Sequence, residues 1–231
     1  MSIFDNVLDC GKDLERGTSE RIINTDFDKV LAIFLGGSTR TLHAIKLLYE
    51  NGFYEEGFSL ARILLEAVID LFYISLNKTK NAEQYIEFDK LKANEQVDML
   101  SNLNASMTSQ AKFSIKLKFK DKTRWSQLTF KGMLEEVFPN DKQLLDSHLL
   151  LYKNLCNHSH PSASGLGATV IWAKEDISMR EEYREQSKKV LPLLSCQLVL
   201  GIYFTINKEF SLGKSTQITK LNNEVSKLAQ N

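Results

Sequence analysis

The chain has 231 residues, 43% of them hydrophobic and 25% charged, with 29 Lys and Arg against 29 Asp and Glu. Those values exclude a disordered chain, and zero net charge gives no general case for a nucleic-acid or acidic partner. Only three prolines and eleven glycines occur, which favours long uninterrupted helices. The length suits one large domain or two small ones. Cys10, Cys156 and Cys196 are far apart and form no Cys-x-x-Cys pair. They predict neither a zinc ribbon nor a disulfide framework, and point to a reducing, cytoplasmic compartment. Asp5 and Asp9 lie early, where a signal peptide would need an apolar core.

Residues 1–17 read as a short amphipathic helix, with Ile3, Phe4, Val7, Leu8 and Leu14 at helical spacing and Gly17 as its stop. A second helix is predicted from about Thr25 to Glu50, closed by Asn51-Gly52. The third, Tyr54–Leu76, is apolar on nearly every face, which places it in a core. Asn77–Asn81 reads as a polar break before a fourth, more polar helix from about Ala82 to Leu103.

Residues 112–120, KFSIKLKFK, alternate apolar and polar residues with the period of a strand. Lys112, Lys116 and Lys120 also fall on one helical face, so the segment fits either structure and reads as a surface excursion. Thr129–Phe138 predicts a short helix closed by Pro139, with Asn140 capping a further helix to about Asn157. Residues 158–170 are a small-residue loop of turn formers. A long apolar helix follows from about Ile177 to Phe210, bent or broken near Pro192, and a last one covers roughly Ser215–Ala229. No repeat or linker divides the chain. The expectation is a single all-α domain, a bundle of about seven to eight helices with at most one short β element near 112–120.

The residues with the most chemical content are Arg62, Glu66 and Asp70, four apart on the third helix. Spacing of four aligns them on one face, and charges inside an apolar helix must be paired. Each would cost roughly 2.5–3.5 kcal/mol at a bilayer centre, which argues against a membrane span at Phe58–Leu76. The seam suits a ligand or catalytic site with disturbed pKa values. It equally suits an ion pair that locks helix packing.

A second cluster runs through Asn154, Asn157, His158, Ser159 and His160 at a predicted helix end. Histidine suits acid–base work near neutrality, and also suits the negative end of a helix dipole. Lys116, Lys118, Lys120 and Trp125 form a third candidate, a basic and aromatic stretch able to hold phosphates and stack bases. A solvated amphipathic surface would read the same way. Gly36-Gly37 lacks a Walker lysine and reads as a place of close helix approach or a kink. No Gly-x-Ser-x-Gly elbow, His-Glu-x-x-His or Cys/His cluster occurs. No cofactor is predicted.

Several segments in order carry a resemblance: Leu42-His43-Ala44-Ile45-Lys46-Leu47-Leu48, Gly52, and Ala61-Arg62-Ile63-Leu64-Leu65-Glu66-Ala67 in the front half. Trp125-Ser126, Tyr152-Lys153-Asn154-Leu155 and His160-Pro161-Ser162 follow in the back half. Together they resemble a family of bacterial all-helical proteins of unknown function, over roughly residues 40–165, with Arg-x-x-x-Glu and His-Pro-Ser as its motifs. In that family a serine often stands where this chain has Cys156, and the matching histidine is His160 rather than His158.

The family is similar, more distantly, to the HEPN helical bundles, which include toxin and phage-defence ribonucleases and nucleotide-binding partners. That resemblance implies a bundle, often paired as a homodimer, acting on RNA or a nucleotide. The HEPN ribonuclease motif places an Arg four to six residues before a His on one helix. Here Asn154 or Lys153 stands before His160 instead, so either Arg62 supplies the guanidinium from another helix or the ribonuclease chemistry is absent.

Three functions remain open on this reading. One is a nucleic-acid or nucleotide-processing enzyme with Arg62, Glu66 and His160 as its catalytic set and Asp70, Asn154, Asn157 and His158 as binding residues. Another is a non-catalytic protein- or RNA-binding module using Lys116, Lys118, Lys120 and Trp125. The third is a metal-dependent hydrolase using His158, His160, Glu66 and Asp70.

Overall fold

A computed structural model describes residues 2–103, 113–119, 123–159 and 177–230. Eight α-helices occupy the described residues, and no strand occurs among them. In chain order they are α1 (Ile3–Ser19), α2 (Asp26–Glu50), α3 (Tyr54–Leu76), α4 (Lys78–Leu103), α5 (Phe130–Val137), α6 (Lys142–Ser159), α7 (Ile177–Phe210) and α8 (Ser215–Leu228). The protein is an all-α bundle.

Local chemistry sets most of the helix ends. The Ser2 hydroxyl accepts the Asp5 N–H at 3.2 Å while the Asp5 carboxylate accepts the Ser2 N–H at 2.9 Å. Thr25 and Asp28 repeat this reciprocal cap on α2. Gly52 closes α2 at φ +78°, a conformation that favours glycine, and Phe53 N–H then reaches back to the Leu48 carbonyl at 2.9 Å. Thr129 caps α5 through the Gly132 N–H at 3.1 Å. Asp141, rather than Asn140, receives the Leu144 N–H at the start of α6.

Several predicted boundaries shift. α1 runs through Gly17 to Ser19. The expected polar break shrinks to Asn77 alone, because Lys78, Thr79 and Lys80 lie exposed in the first turn of α4. His158 and Ser159 belong to α6 rather than to the following loop, whose residues from 160 on lie outside the described residues. α7 continues through Pro192 as one helix. The 184–210 part of α7 is long and apolar enough to cross a membrane, but 67% of its most apolar window is buried inside the bundle, as in a core helix.

α3 is the central element, packed against α2, α4, α5, α6 and α7, which explains why it is apolar on almost every side. Ala61, Leu65, Ile69, Leu71 and Ile74 are fully enclosed, in a hydrophobic core that draws buried residues from all eight helices. Gly57 lets α7 approach closely, since a Cβ there would lie 2.5 Å from Leu191 Cδ2. Gly36 and Gly37 do not serve this purpose, because a Cβ at either would meet nothing within 4 Å.

Residues 113–119 carry the alternating pattern without forming a strand. Ile115, Leu117 and Phe119 are half-buried, while Ser114, Lys116 and Lys118 are exposed. The partner of this extended stretch is a helix. The Asn94 side-chain amide accepts the Phe113 N–H at 2.8 Å and donates to the Phe113 carbonyl at 2.8 Å. The Glu87 carboxylate accepts the Lys116 N–H at 2.5 Å.

Candidate functional site

The α3 charges face a cleft of about 490 Å³, closed on the other side by Thr123, Arg124, Trp125 and Ser126. Phe88 of α4 and Phe130 and Met133 of α5 complete its walls. A volume of this order suits a small-molecule site.

The seam is graded rather than uniformly buried. Arg62 Nε and Nη2 both approach Glu66 Oε1 at 3.1 Å. Their side chains are 22% and 38% exposed, so this ion pair sits at the cleft mouth, contrary to the buried pair that spacing suggested. The apolar neighbours of α3 belong to its other faces, and period alone could not show that this face meets a cleft. The Arg62 guanidinium lies over the Tyr152 ring at 5.5 Å, and Tyr152 stacks on Phe130 at 4.0 Å. Partial burial works against the charge on Arg62, but Glu66 outweighs it and the Arg62 pKa is raised.

Asp70 is the inner member. Burial of its carboxyl pushes its pKa up to about 7, with the Glu66 charge adding to the effect. A hydrogen bond from the Trp125 side chain and the charge of Arg124 oppose the rise. Asp70 therefore divides between protonated and ionised forms near neutrality, a useful condition for a group that must give and take a proton.

Trp125 is 7% exposed and does not present a free ring face to solvent. Its indole meets Tyr73 edge-on at 5.7 Å and Tyr85 at 5.1 Å, and its carbonyl accepts from Gln84 Nε2 at 2.7 Å. This inward placement differs from the surface stretch expected from the neighbouring lysines. A tryptophan gains more by covering apolar rings than by standing in water. Tyr85, half-buried beside it, has its phenol pKa raised by desolvation and by the charge of Asp70.

The other sequence candidates are dispersed. Asn154 and Asn157 are exposed on α6. His158 stacks on Phe58 at 5.0 Å, and burial lowers its pKa and favours the neutral imidazole. Its carbonyl accepts the Ser59 hydroxyl at 2.7 Å. Lys116 and Lys118 are exposed on the extended stretch. His160 and Lys120 lie outside the described residues. Among the described residues no group of three or more His, Cys, Asp or Glu could hold a metal ion. Sequence reasoning missed Arg124 as the second guanidinium of the cleft and Tyr85 as a wall of the Asp70 environment. The available signal was Trp125 itself, a large residue that a polar surface loop does not need.

Fold and site together define an all-α bundle with an acid–guanidinium cleft beside its central helix. Residues 28–178 match the model of the family of unknown function DUF5677, and the chain belongs to that family. The matched span holds every residue that lines the cleft. Comparison with curated proteins and with solved structures gives no match.

Proposed function

We propose that this protein binds and processes a phosphate-bearing ligand, a nucleotide or RNA, in the cleft between α3 and residues 123–126. The observation that carries the reading is the convergence of Arg62, Arg124 and Asp70 on one cleft. Guanidinium groups on two walls suit phosphate oxygens. The Ser126 and Thr123 side chains, also in the lining, add hydroxyl groups of matching chemistry. Glu66 orients Arg62, and Asp70 holds or releases the proton. The HEPN resemblance supports the same ligand class, with His160 as a further acid or base and a pair of chains as the working unit. Three free cysteines fit a reducing, cytoplasmic setting.

The test is the purified protein against single-stranded RNA and a nucleotide panel, beside Asp70→Asn and His160→Ala. Turnover by the wild type that falls about 100-fold or more in Asp70→Asn supports the reading. The same background in all three samples removes it.

A second reading, a non-catalytic RNA-binding module, draws on the outward placement of Lys116 and Lys118 along one extended stretch. In that case affinity depends on these lysines and on salt, and not on Asp70.

A further inference from the structure

One face of α4 carries three polar side chains that bind the backbone of Phe113, Lys116 and Trp125. Asn94 pairs with both backbone groups of Phe113, Glu87 accepts the Lys116 N–H, and Gln84 donates to the Trp125 carbonyl. The spacings match. Seven helical residues from Glu87 to Asn94 rise roughly 10.5 Å, and three extended residues from Phe113 to Lys116 span about 10 Å. The stretch thus runs antiparallel to α4, with the Asn94 amide standing where a neighbouring strand's peptide group would stand. Phe119 meets Phe88 edge-on at 5.2 Å farther along.

Glu87 is an unusual residue to bury, with a side chain 3% exposed. Lys90 Nζ compensates it at 2.6 Å. Burial alone would raise its pKa, but the bonds from Lys90 and from the Lys116 N–H outweigh that and hold the pKa low. A charged acceptor makes a stronger bond to a backbone N–H than a neutral one. A carboxylate is therefore spent on fixing the path of a segment that has no strand to pair with.

The geometry points to Gln84, Glu87 and Asn94 as positioning residues for the cleft: they clip the chain along α4 so that Arg124 and Trp125 arrive at Asp70. This inference rests on the ligand reading of the cleft only for its functional consequence; the clip itself has its own observables. Released from α4, the chain carries Trp125 away from Asp70. Water then reaches the carboxyl, and the second guanidinium leaves the cleft. The groups bearing on Asp70 are Glu66 on its own helix, Trp125 and Arg124 on the clipped chain, and Tyr85 of α4.

The experiment uses the full chain with Trp172→Phe, which leaves Trp125 as its only tryptophan. Asn94→Ala, Glu87→Leu and Glu87→Gln are compared by tryptophan emission, by the Asp70 titration midpoint from carboxyl carbon NMR, and by ATP affinity. Asn94→Ala and Glu87→Leu should shift emission to the red and lower the midpoint from about 7 toward ordinary carboxylate values. They should also weaken ATP about ten-fold, the scale of one lost hydrogen bond. Glu87→Gln keeps an oxygen for the Lys116 N–H and should retain most of the wild-type emission and midpoint. Wild-type emission and midpoint in both disruptive variants, with helical circular dichroism intact, would overturn the clip. Should Glu87→Leu fail to fold, Asn94→Ala with amide exchange at Phe113 and Lys116 decides: unchanged protection overturns the clip and faster exchange supports it. A wild type that binds no ATP counts against the phosphate reading, while emission and midpoint still decide on the clip.

Discussion

The Trp125 and Asp70 side chains line one cleft although 55 positions separate the two residues in the chain. The Trp125 ring is itself held edge-on by Tyr73 and Tyr85. Their proximity ties the central helix to the segment before α5, and burial there raises the Asp70 pKa.

Stability should therefore fall as pH rises toward neutrality. Folding raises the Asp70 pKa from 3.8 to about 7. Between those values the folded chain holds a proton that the unfolded chain has lost, so unfolding releases protons and the native state weakens with each pH step. Below pH 4 both states are protonated, and above about pH 7 both are ionised, so the Asp70 contribution is flat outside the window. The span corresponds to roughly 4 kcal/mol as an upper bound. Asp70→Asn keeps the shape of the side chain without its titration and should flatten this part of the profile, gaining stability chiefly at pH 8. Urea denaturation across pH 4–8 for both proteins checks it; parallel profiles would contradict the placement of Asp70.

Glu66→Ala should cost only about 0.5–1 kcal/mol. Glu66 is 38% exposed, so its bond to Arg62 is screened by water, and Arg62 retains the Tyr152 face when the carboxylate is gone. Loss of 3–5 kcal/mol in chemical denaturation would instead mark a fully buried pair.

The sequence made α3 legible as a core helix because every turn carried apolar residues, and it made Arg62, Glu66 and Asp70 legible as one face because helical geometry fixes that spacing. It could not rank them by depth. Depth depends on Trp125 and Arg124, and no local pattern joins those residues to Asp70. Residues 113–119 show the same division. Alternation offered an extended chain as one of two readings, with Ile115, Leu117 and Phe119 on one side, but the partner is a row of helix side chains, Glu87 and Asn94, which on α4 look like ordinary solvated polar residues. The start of α4 was hidden for a related reason. Lys78, Thr79 and Lys80 are exposed, and a solvated helical turn tolerates the same polar residues as a loop.

Two glycine substitutions should act in opposite directions. Gly57→Ala drives a methyl group against Leu191, whose side chain is fully enclosed between helices and cannot swing away. The net cost should be about 1–3 kcal/mol after the helix-propensity gain is counted. Gly36→Ala adds a methyl with nothing within 4 Å and should gain roughly 0.5–1 kcal/mol. Melting temperatures of the two variants provide the check. A loss at Gly36 would mean that another surface packs there.

The RNA-module reading makes a quantitative claim about salt. Zero net charge leaves no long-range attraction for polyanions, so any phosphate binding outside the cleft must come from a local row of cations. Lys116 and Lys118 are both exposed and sit two residues apart on an extended chain, which projects them toward the same side. Each lysine that meets a phosphate releases about 0.7 counterions on single-stranded RNA. Changing Lys116, Lys118 and Lys120 to Gln should then reduce the slope of log affinity against log salt by about 2 if all three engage. Asp70→Asn should leave that slope alone under this reading. A wild-type affinity that loses its salt dependence in Arg62→Ala and keeps it in the lysine variant would place the phosphate in the cleft instead, where Arg62 and Arg124 line the same space as the Asp70 carboxyl.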